Sequence, residues 1–279
     1  PQDMQLITGS PTARRRYLDI TLCQIDPIYC RNLSNYNKLL EQRNALLRQL
    51  AEGNGSWDVL PVFTDKLVAL GSKVFLRRAA VVDQLAREAQ RVHYEELTGG
   101  KETIRLSYLP RLEEHNSGKA HRHASSIAIG EWMQENQTDI KAIEERFRES
   151  LDVAQANDVS RGATSVGPHR DDWHFKLNGR ELSSYGSRGQ QRSAILALKM
   201  AEIEWMGSVT QEMPILLLDE VLAELDESRR ALLLKFVQKS SQTLLTGTDP
   251  GMFSDEFVQQ TSKMKVANGK VYPETVQQP

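Results

Sequence analysis

An unbroken apolar run that ends in two acidic residues is the part of this sequence best suited to chemistry. Pro214 to Leu218 are followed directly by Asp219 and Glu220, and helix-forming residues come next. All-apolar strands are typical of parallel sheets that are covered on both faces, and ligands bind beside the carboxyl ends of such strands. Asp219 could therefore hold Mg²⁺, and Glu220 could orient or deprotonate a water that attacks a γ-phosphate. The alternative is a core strand followed by a solvated acidic turn.

A small glycine-containing turn before a long helical pattern is the second candidate. Ser187-Arg188-Gly189-Gln190-Gln191-Arg192 precedes apolar residues at helical spacing. Glycine lets the backbone approach an anion closely, the free amides and the positive end of the helix dipole attract phosphate, and Ser187 adds a hydroxyl donor. The alternative is an ordinary capped helix, because serine is also a favoured N-cap residue.

The order of these motifs is more specific than either motif alone. The turn at Ser187 resembles the signature of ABC ATPases, the run ending at Asp219 resembles a Walker B strand, and Ala223-Glu224-Leu225-Asp226 resembles a D-loop. Thr246, after the last predicted core strand, resembles the switch position, and Gln2 is a candidate for the Q-loop. This order is typical of ABC-type ATPases.

Longer matches extend the similarity to one family. The chain resembles the RecF family of bacterial DNA replication and repair ATPases, which are related to SMC proteins. The resemblance covers essentially the whole chain and is densest between residues 167 and 226. Outside the motifs it is carried by Gly9-Ser10-Pro11, Arg14 to Asp19, Gln42 to Leu47 and Thr164 to Asp172.

The resemblance implies an α/β ABC-type ATPase head with an inserted helical lobe II arm. Residues 1–13 would end the N-terminal part of head lobe I, residues 14–157 would form the arm, and residues 158–279 would form the C-terminal part of lobe I. The sequence has no Walker A motif, since Thr98-Gly99-Gly100-Lys101-Glu102-Thr103 lacks the GxxxxGK spacing. That motif is N-terminal in the family, so we expect an N-terminally truncated chain that is inactive alone.

For function, the resemblance implies a weak ATPase that works as an ATP-gated DNA clamp. Two heads would sandwich ATP and Mg²⁺, and hydrolysis would release the dimer. Such a clamp binds single-stranded and gapped or junction duplex DNA, works with RecR and RecO and assists RecA loading, in replication, recombinational gap repair and SOS induction. The residues assigned in this way are Glu220 for catalysis, Asp219 for Mg²⁺, Asp226 in the D-loop, Thr246 at the switch, and Ser187, Gly189 and Gln190 facing ATP across the dimer.

Two other classes of protein remain as alternatives. A non-hydrolysing interaction module would bind DNA or a mediator protein without nucleotide, which is compatible with the missing Walker A motif. The nucleotide-binding subunit of a membrane transporter is disfavoured, because the signature reads Ser-Arg-Gly-Gln-Gln rather than Ser-Gly-Gly-Gln and the inserted region is a long helical arm.

Charge and composition limit how the chain could meet its partners. Its 279 residues include 35 basic and 37 acidic side chains, for a net charge of −2, so DNA would have to bind a local basic patch. With two cysteines, no signal-peptide pattern and no apolar run of about 20 residues, we expect a cytoplasmic protein with no membrane contact. The resemblance implies that it associates with the nucleoid. The candidates for DNA contact are Arg14, Arg15, Arg16, Arg77 and Arg78, although arginines on helices are more often solvated or ion-paired.

The hydrophobic pattern predicts the elements that position these residues. Apolar residues at helical spacing predict a helix from Ala13 to Leu50, broken near Asp26-Pro27, and a second helix from Phe63 toward Tyr94. The turn at Gly53-Asn54-Gly55-Ser56 would join them into an antiparallel hairpin. A third helix, from about Ser126 to Ala154, is expected to pack beside the hairpin.

After about residue 160 the pattern changes to short β-rich runs, turns and single helices, as in an α/β domain. Asn178-Gly179 and Asn268-Gly269 each separate two such runs and predict hairpins with type I′ turns.

Other titratable side chains are given structural roles. Cys23 and Cys30, on a presumed helix, would lie about 10 Å apart along it, too far for a disulfide. Residues 169–171 are expected to form an ion-paired corner or family-specific contacts, with no catalytic role. A polar loop is favoured over a metal site at His115, His121 and His123.

Overall fold

The structure is a computed structural model that describes residues 2–113, 119–136, 138–249, 251, 253 and 255–273. Within these ranges, the side chains of residues 2, 119–125, 224 and 255 lie outside the described structure. The chain divides into two compact units, Pro1–Glu212 and Met213–Pro279. The predicted division into head and arm remains a prediction.

The first unit is mainly helical, and its described residues form one small sheet. Short 3₁₀ turns at Gln2–Met4, Trp57–Val59 and Pro168–Arg170, and a π-helix at Val92–Leu97, connect its longer elements. Those elements are α1 (Gln5–Thr8), α2 (Pro11–Ile25), α3 (Pro27–Ala51), α4 (Leu60–Arg91), β1 (Ile104–Leu109), α5 (Lys119–Glu135), α6 (Ile140–Arg161), β2 (Asp172–Leu177), β3 (Arg180–Glu181), α7 (Leu182–Tyr185) and α8 (Arg188–Thr210).

The predicted break and hairpin of the first two long helices are confirmed. Pro27 occupies the first turn of α3, and the Asp26 side chain caps that helix by accepting a hydrogen bond from the Tyr29 amide at 2.9 Å. Gly53 has φ of 77° and turns the chain toward α4. Near this turn the two helices share an apolar cluster with α6, formed by Leu46, Leu47, Leu50, Leu60, Phe63 and Val159.

The single third helix expected from Ser126 to Ala154 is wrong, because the structure has two helices there. Helix α5 ends at Glu135 and α6 begins at Ile140. The Asp139 side chain starts the second helix by accepting hydrogen bonds from the amides of Lys141 at 3.0 Å and Ala142 at 3.1 Å. A local cap therefore overrides a helical pattern that continues through the break.

The sheet of the first unit is antiparallel, in the order β1-β2-β3. Strands β1 and β2 pair Ile104 with Leu177 at one end and Leu109 with Asp172 at the other. Asn178 and Gly179 have φ of 47° and 81°, which is the geometry of the predicted type I′ turn between β2 and β3.

The second unit contains two small sheets and two helices among its described residues. Strands β4 (Leu216–Asp219) and β5 (Thr243–Thr246) are parallel, and α9 (Glu227–Val237) lies between them in the chain. Helix α10 (Asp255–Gln259) is followed by the antiparallel strands β6 (Met264–Ala267) and β7 (Lys270–Pro273). The turn between β6 and β7 is the second predicted hairpin, with positive φ at Asn268 and Gly269.

The strand that ends at Asp219 was expected to be buried on both faces. The structure corrects this for the face that carries Ile215 and Leu217. Leu216 is 5% exposed, whereas Leu217 is 75% and Ile215 is 58% exposed. Within the described ranges β4 pairs with β5 alone, so the alternate side chains of this strand have no covering layer. The carboxyl end of β4 nevertheless lies at the edge of a parallel pair, as predicted for Asp219.

Candidate functional site

The turn before α8 is built as a capping box. The Ser187 side chain oxygen accepts a hydrogen bond from the Gln190 amide at 3.2 Å, and the Ser187 amide donates to Gln190 Oε1 at 2.8 Å. These two bonds satisfy backbone groups that the helix leaves open at its N-terminus. Ser187 is exposed, so its hydroxyl lies on the surface at the positive end of a 23-residue helix.

The other predicted signature residues differ in their surroundings. A Cβ atom placed on Gly189 would meet only the Ser187 hydroxyl oxygen, at 4.0 Å, so the backbone there is open to an approaching group. The side chain of Gln190 is engaged within its own unit, because its Nε2 also donates to Glu102 Oε1 at 2.7 Å. Sequence reasoning missed Glu102, which lies far from the signature in the chain.

The acidic strand end and the predicted switch residue lie side by side in the second unit. Parallel pairing of β4 and β5 sets Asp219 opposite Thr246. The Thr246 hydroxyl donates to Asp219 Oδ1 at 2.6 Å and accepts a hydrogen bond from the Glu220 amide at 3.1 Å. Glu220 has φ of 51°, a left-handed conformation that turns the chain out of the strand. The side chains of Asp219 and Glu220 are exposed at this edge.

The predicted D-loop residue Asp226 caps the next helix. Its Oδ1 accepts a hydrogen bond from the Arg229 amide at 2.9 Å, and its carboxylate also forms an ion pair with the Arg229 guanidinium. Asp226 is exposed, so the local role of the residue is to begin α9.

The oxygen donors at the strand end fit a magnesium ion that is shared with a nucleotide. Mg²⁺ is commonly held by one or two carboxylates together with phosphate oxygens and waters. Asp219 offers an exposed carboxylate, and the Thr246 hydroxyl orients it. The described residues contain no group of three or more His, Cys, Asp or Glu side chains that could hold a metal without such help. His115, and the side chains of His121, His123 and the Q-loop candidate Gln2, lie outside the described residues.

Two of the five arginines proposed to contact DNA are buried in ion pairs, which revises that expectation. Arg14 is 9% exposed and pairs with Asp172, with 2.6 Å between Nε and Oδ1. Arg78 is 2% exposed and pairs with Asp19 at 2.7 Å and Asp171 at 3.1 Å. A guanidinium held in this way is not available to a phosphate, and removing it would leave a carboxylate without its partner.

The remaining three arginines are more accessible. Arg15 is half-buried and donates a hydrogen bond to the Asp171 carbonyl oxygen at 2.6 Å. Arg77 pairs with Asp26 at 2.7 Å. Arg16 is exposed on the surface of α2 and remains the best placed of the five for an external anion.

A buried polar cluster, here called the polar joint, connects four chain segments of the first unit. Its members are Asp19, Arg78, Tyr108, Pro168 and Asp171. Arg78 donates to the Pro168 carbonyl oxygen at 2.5 Å, and the Tyr108 hydroxyl donates to Asp171. Burial raises the pKa of Asp171 to about 6, against the lowering effects of Arg78 and the Tyr108 hydroxyl. Asp171 thus gives the corner at residues 169–171 the ion-paired, structural role that was predicted for it.

The proximity of the two cysteines was not predicted. Helix α2 ends at Ile25, so Cys23 and Cys30 lie on different helices rather than seven residues apart on one. Burial, together with a hydrogen bond to the Cys30 thiol, raises the pKa of Cys23 to about 12. Both are free thiols. The predicted separation of about 10 Å is therefore wrong, because it assumed a continuous helix.

Comparisons with known proteins agree on one family. The DNA replication and repair protein RecF of Exiguobacterium sp. is 37% identical over 276 residues, which is 99% of this chain and 68% of that protein. RecF of Herpetosiphon aurantiacus is 41% identical over 276 residues, covering 98% of this chain and 64% of the relative. RecF of Bacillus subtilis is 36% identical over 270 residues. A scan against protein-family models finds no match.

Solved structures give the same result. The structure of the recombination mediator protein RecF-ATPrS in the RecFOR pathway has a TM-score of 0.81 and 28% identity, and the match covers 99% of this chain and 66% of that one. The structure of RecF-ATP in the same pathway has a TM-score of 0.79. The fold is therefore that of the C-terminal portion of an ABC-type ATPase of the RecF kind.

The chain belongs to the RecF family of DNA replication and repair proteins. It spans about two thirds of the length of the relatives that it matches. In the described ranges no helix combines the length and apolarity needed to cross a membrane.

Proposed function

We propose that this chain is part of an ATP-gated DNA-binding clamp that acts in DNA replication, recombinational gap repair and SOS induction. The observation that carries the proposal is the exposed Ser187 hydroxyl at the capped N-terminus of α8, in a member of the RecF family. A hydroxyl at the positive end of a helix suits the γ-phosphate of an ATP bound by a second copy. The clamp would close when ATP joins two copies and open after hydrolysis.

The second unit of the other copy would supply the metal-binding and catalytic side of the site that Ser187 faces. Asp219, oriented by Thr246, would hold Mg²⁺, which neutralises charge on the phosphates when bound. Glu220 would act on the attacking water, since its carboxylate is exposed beside Asp219. Gly189 would let a phosphate approach the backbone, and Asp226 would belong to the D-loop of the same interface.

The proposed partners follow from the family. They are single-stranded DNA, gapped or junction duplexes, RecR and RecO, and indirectly RecA, and the solved relatives are described as part of the RecFOR pathway. DNA as a partner would place the protein at the nucleoid, in the cytoplasm. The weak ATPase activity belongs to the complete protein in this proposal.

Light scattering of the full-length protein with and without ATP tests the clamp. Ser187→Arg should abolish ATP-driven dimerisation, because the new side chain blocks the phosphate position, while the monomer stays folded. Glu220→Gln should keep nucleotide binding and prolong the dimer, because the attacking water is no longer activated. Ser184→Arg, at another exposed serine of the same region, is the matched control. Unchanged dimerisation of the Ser187→Arg protein would remove the signature assignment.

The second candidate is a non-hydrolysing interaction module that binds DNA or a mediator protein without nucleotide. It predicts DNA or mediator binding that is the same with and without ATP. The clamp predicts DNA affinity that rises when ATP is present, so a titration of gapped DNA in both conditions separates the two.

A further inference from the structure

Glu102 makes the contact that fixes the side chain of Gln190 in the signature turn. Gln190 Nε2 donates to Glu102 Oε1 at 2.7 Å, while Gln190 Oε1 accepts from the Ser187 amide at 2.8 Å. All three residues belong to the first unit. A hydrogen-bonded chain therefore runs from Glu102 through Gln190 to the backbone of Ser187.

The chemistry of a carboxylate determines which group donates and which accepts in each of these hydrogen bonds. An ionised carboxylate only accepts hydrogen bonds, so Glu102 requires the NH₂ group of the Gln190 amide to face it. The amide oxygen is then directed to the Ser187 N–H. The opposite rotation would set oxygen against carboxylate and NH₂ against N–H, and both pairs would repel.

The same arrangement controls the Ser187 hydroxyl. Its oxygen accepts a hydrogen bond from the Gln190 amide at 3.2 Å, so it acts as an acceptor toward the helix. Its proton is left to donate outward, in front of the helix N-terminus, where the proposed function requires a donor to phosphate. Loss of the Gln190 side-chain orientation would break the bond from the Ser187 N–H to Gln190 Oε1, which is one of the two bonds of the capping box, and would loosen the turn that holds this hydroxyl.

The backbone of Glu102 is anchored to the end of the long helix α4. Its amide donates to Thr98 Oγ1 at 3.3 Å, and its carbonyl oxygen contacts Thr98 Oγ1 at 3.3 Å and His93 Nδ1 at 3.2 Å. His93 lies in the π-helix Val92–Leu97 that continues α4, and such helices are frequent at functional sites. Glu102 is thus tied to α4 by its backbone and to α8 by its side chain.

We propose that Glu102 is a positioning residue of the signature: it sets Gln190 so that the Ser187 hydroxyl faces the phosphate of the partner subunit, and it links the end of α4 to this turn. The inference rests on the proposed function for the phosphate, and on the contacts above for the positioning. Glu102 itself touches no reacting atom in this scheme.

Charge reversal at Glu102 provides the test, using the full-length protein. A lysine in this position supplies only hydrogen-bond donors. Glu102→Lys should therefore rotate the side-chain amide of Gln190, so that its oxygen faces the lysine and no longer accepts from the Ser187 N–H. We expect hydrogen exchange of the Ser187 and Gln190 amides, measured without nucleotide, to speed up about tenfold, and ATP-driven dimerisation to weaken by about the same factor. Glu149→Lys, at an exposed site on α6, is the matched control and should change neither measurement.

A compensating variant separates positioning from general loss of structure. Gln190→Glu should repel Glu102, whereas the double variant Glu102→Lys with Gln190→Glu restores a donor-to-acceptor pair and still accepts from the Ser187 amide. Slow exchange should therefore return in the double variant. Exchange that is unaffected by Glu102→Lys, or that stays fast in the double variant, overturns the inference.

The dimerisation measurement distinguishes the two proposals. If wild-type protein shows no ATP-driven dimer while exchange responds as expected, the proposed function fails and the positioning of the turn by Glu102 is supported. If wild-type protein dimerises and Glu102→Lys dimerises equally well despite faster exchange, the inference fails and the proposed function is untouched.

Discussion

The imidazole of His169 lies between two neutral oxygen groups, and these determine its protonation. Nε2 is 3.0 Å from the Thr164 carbonyl oxygen, which only accepts, so this nitrogen carries the proton. Nδ1 is 2.7 Å from the Tyr36 hydroxyl and accepts from it. Burial, with a smaller contribution from the charge of Arg170, lowers the pKa of His169 to about 4. The residue is therefore neutral near pH 7 and holds α3 to the corner at residues 168–170.

This lowered pKa predicts a loss of stability in acid. The unfolded chain takes up a proton on His169 near pH 6.5 and the folded chain near pH 4, so stability present above pH 6.5 is lost as pH falls toward 4. Because His169 is only partly buried, we expect about 2 kcal/mol from this group. His169→Gln should show a smaller decrease of the unfolding free energy over this range in urea titrations.

The raised pKa of Asp171 acts in the opposite direction. Its stabilising contribution is present below pH 3.8 and is lost as pH rises through about 6. The difference between wild type and His169→Gln, rather than either curve alone, is therefore the measurement. Parallel pH profiles for the two proteins would contradict the prediction.

At the scale of elements, Gly71 lies at a place where α4 packs closely against α3 and α6. A Cβ atom at this position would lie 2.6 Å from Phe147 Cε1 and 3.0 Å from Tyr36 Cε2. Phe147 also packs edge-on against Phe75 of α4, with 5.2 Å between ring centroids. The missing side chain allows these three helices to approach, which offsets the usual cost of glycine in a helix.

Gly71→Ala should therefore destabilise the protein although alanine is the better helix former. We expect the free energy of unfolding to fall by about 1–3 kcal/mol, because the added methyl group displaces the Phe147 ring. Equilibrium urea unfolding measures this change. Phe147→Leu made together with Gly71→Ala should cost less than the sum of the two single changes, and a purely additive result would show that the ring is not the obstacle.

Local signals made several elements predictable from the sequence. Asp26-Pro27 caps and starts α3, and Asn178-Gly179 supplies the positive φ angles of a type I′ turn. The pairing of Arg78 with Asp171 was not predictable, because the residues are 93 positions apart. From the sequence, each one alone would be expected on the surface as a solvated charge. The exposure of Leu217 was also missed, since an apolar run indicates a buried strand without showing which layers cover it.

The residues of the candidate site likewise fall into those that the sequence could identify and those that it could not. Ser187, Asp219 and Thr246 could be named because residue types in a fixed order identify motifs, and the structure sets Thr246 against Asp219. Glu102 could not be named, because its contact with Gln190 depends on how the end of α4 meets α8.

For the molecule as a whole, a net charge of −2 means that any attraction to DNA depends on where its positive charges lie. Ion pairs already hold Arg14 and Arg78, while Arg16 is exposed on α2. A phosphate contact should therefore appear at the exposed residue and a stability effect at the buried ones.

Arg16→Ala should weaken binding of full-length protein to gapped DNA and lower the salt dependence of that binding by about one released counterion, with stability unchanged. Arg78→Met should instead lower the free energy of unfolding by about 3–5 kcal/mol, because it leaves Asp19 and Asp171 without their partner. Fluorescence anisotropy across salt concentrations and urea unfolding provide the two readouts. Equal DNA affinity for Arg16→Ala and wild type would exclude this residue from the DNA contact.

The bend between α3 and α4 also bears on how the chain tolerates insertions and deletions. Its residues 52–54 and 56–59 are exposed, and the shared apolar packing starts only at Leu50 and Leu60. Lengthening such a connection is inexpensive, about 0.6 kcal/mol for each doubling. The reach of this hairpin can therefore be altered, in nature or by an engineer, without disturbing the polar joint or the signature turn.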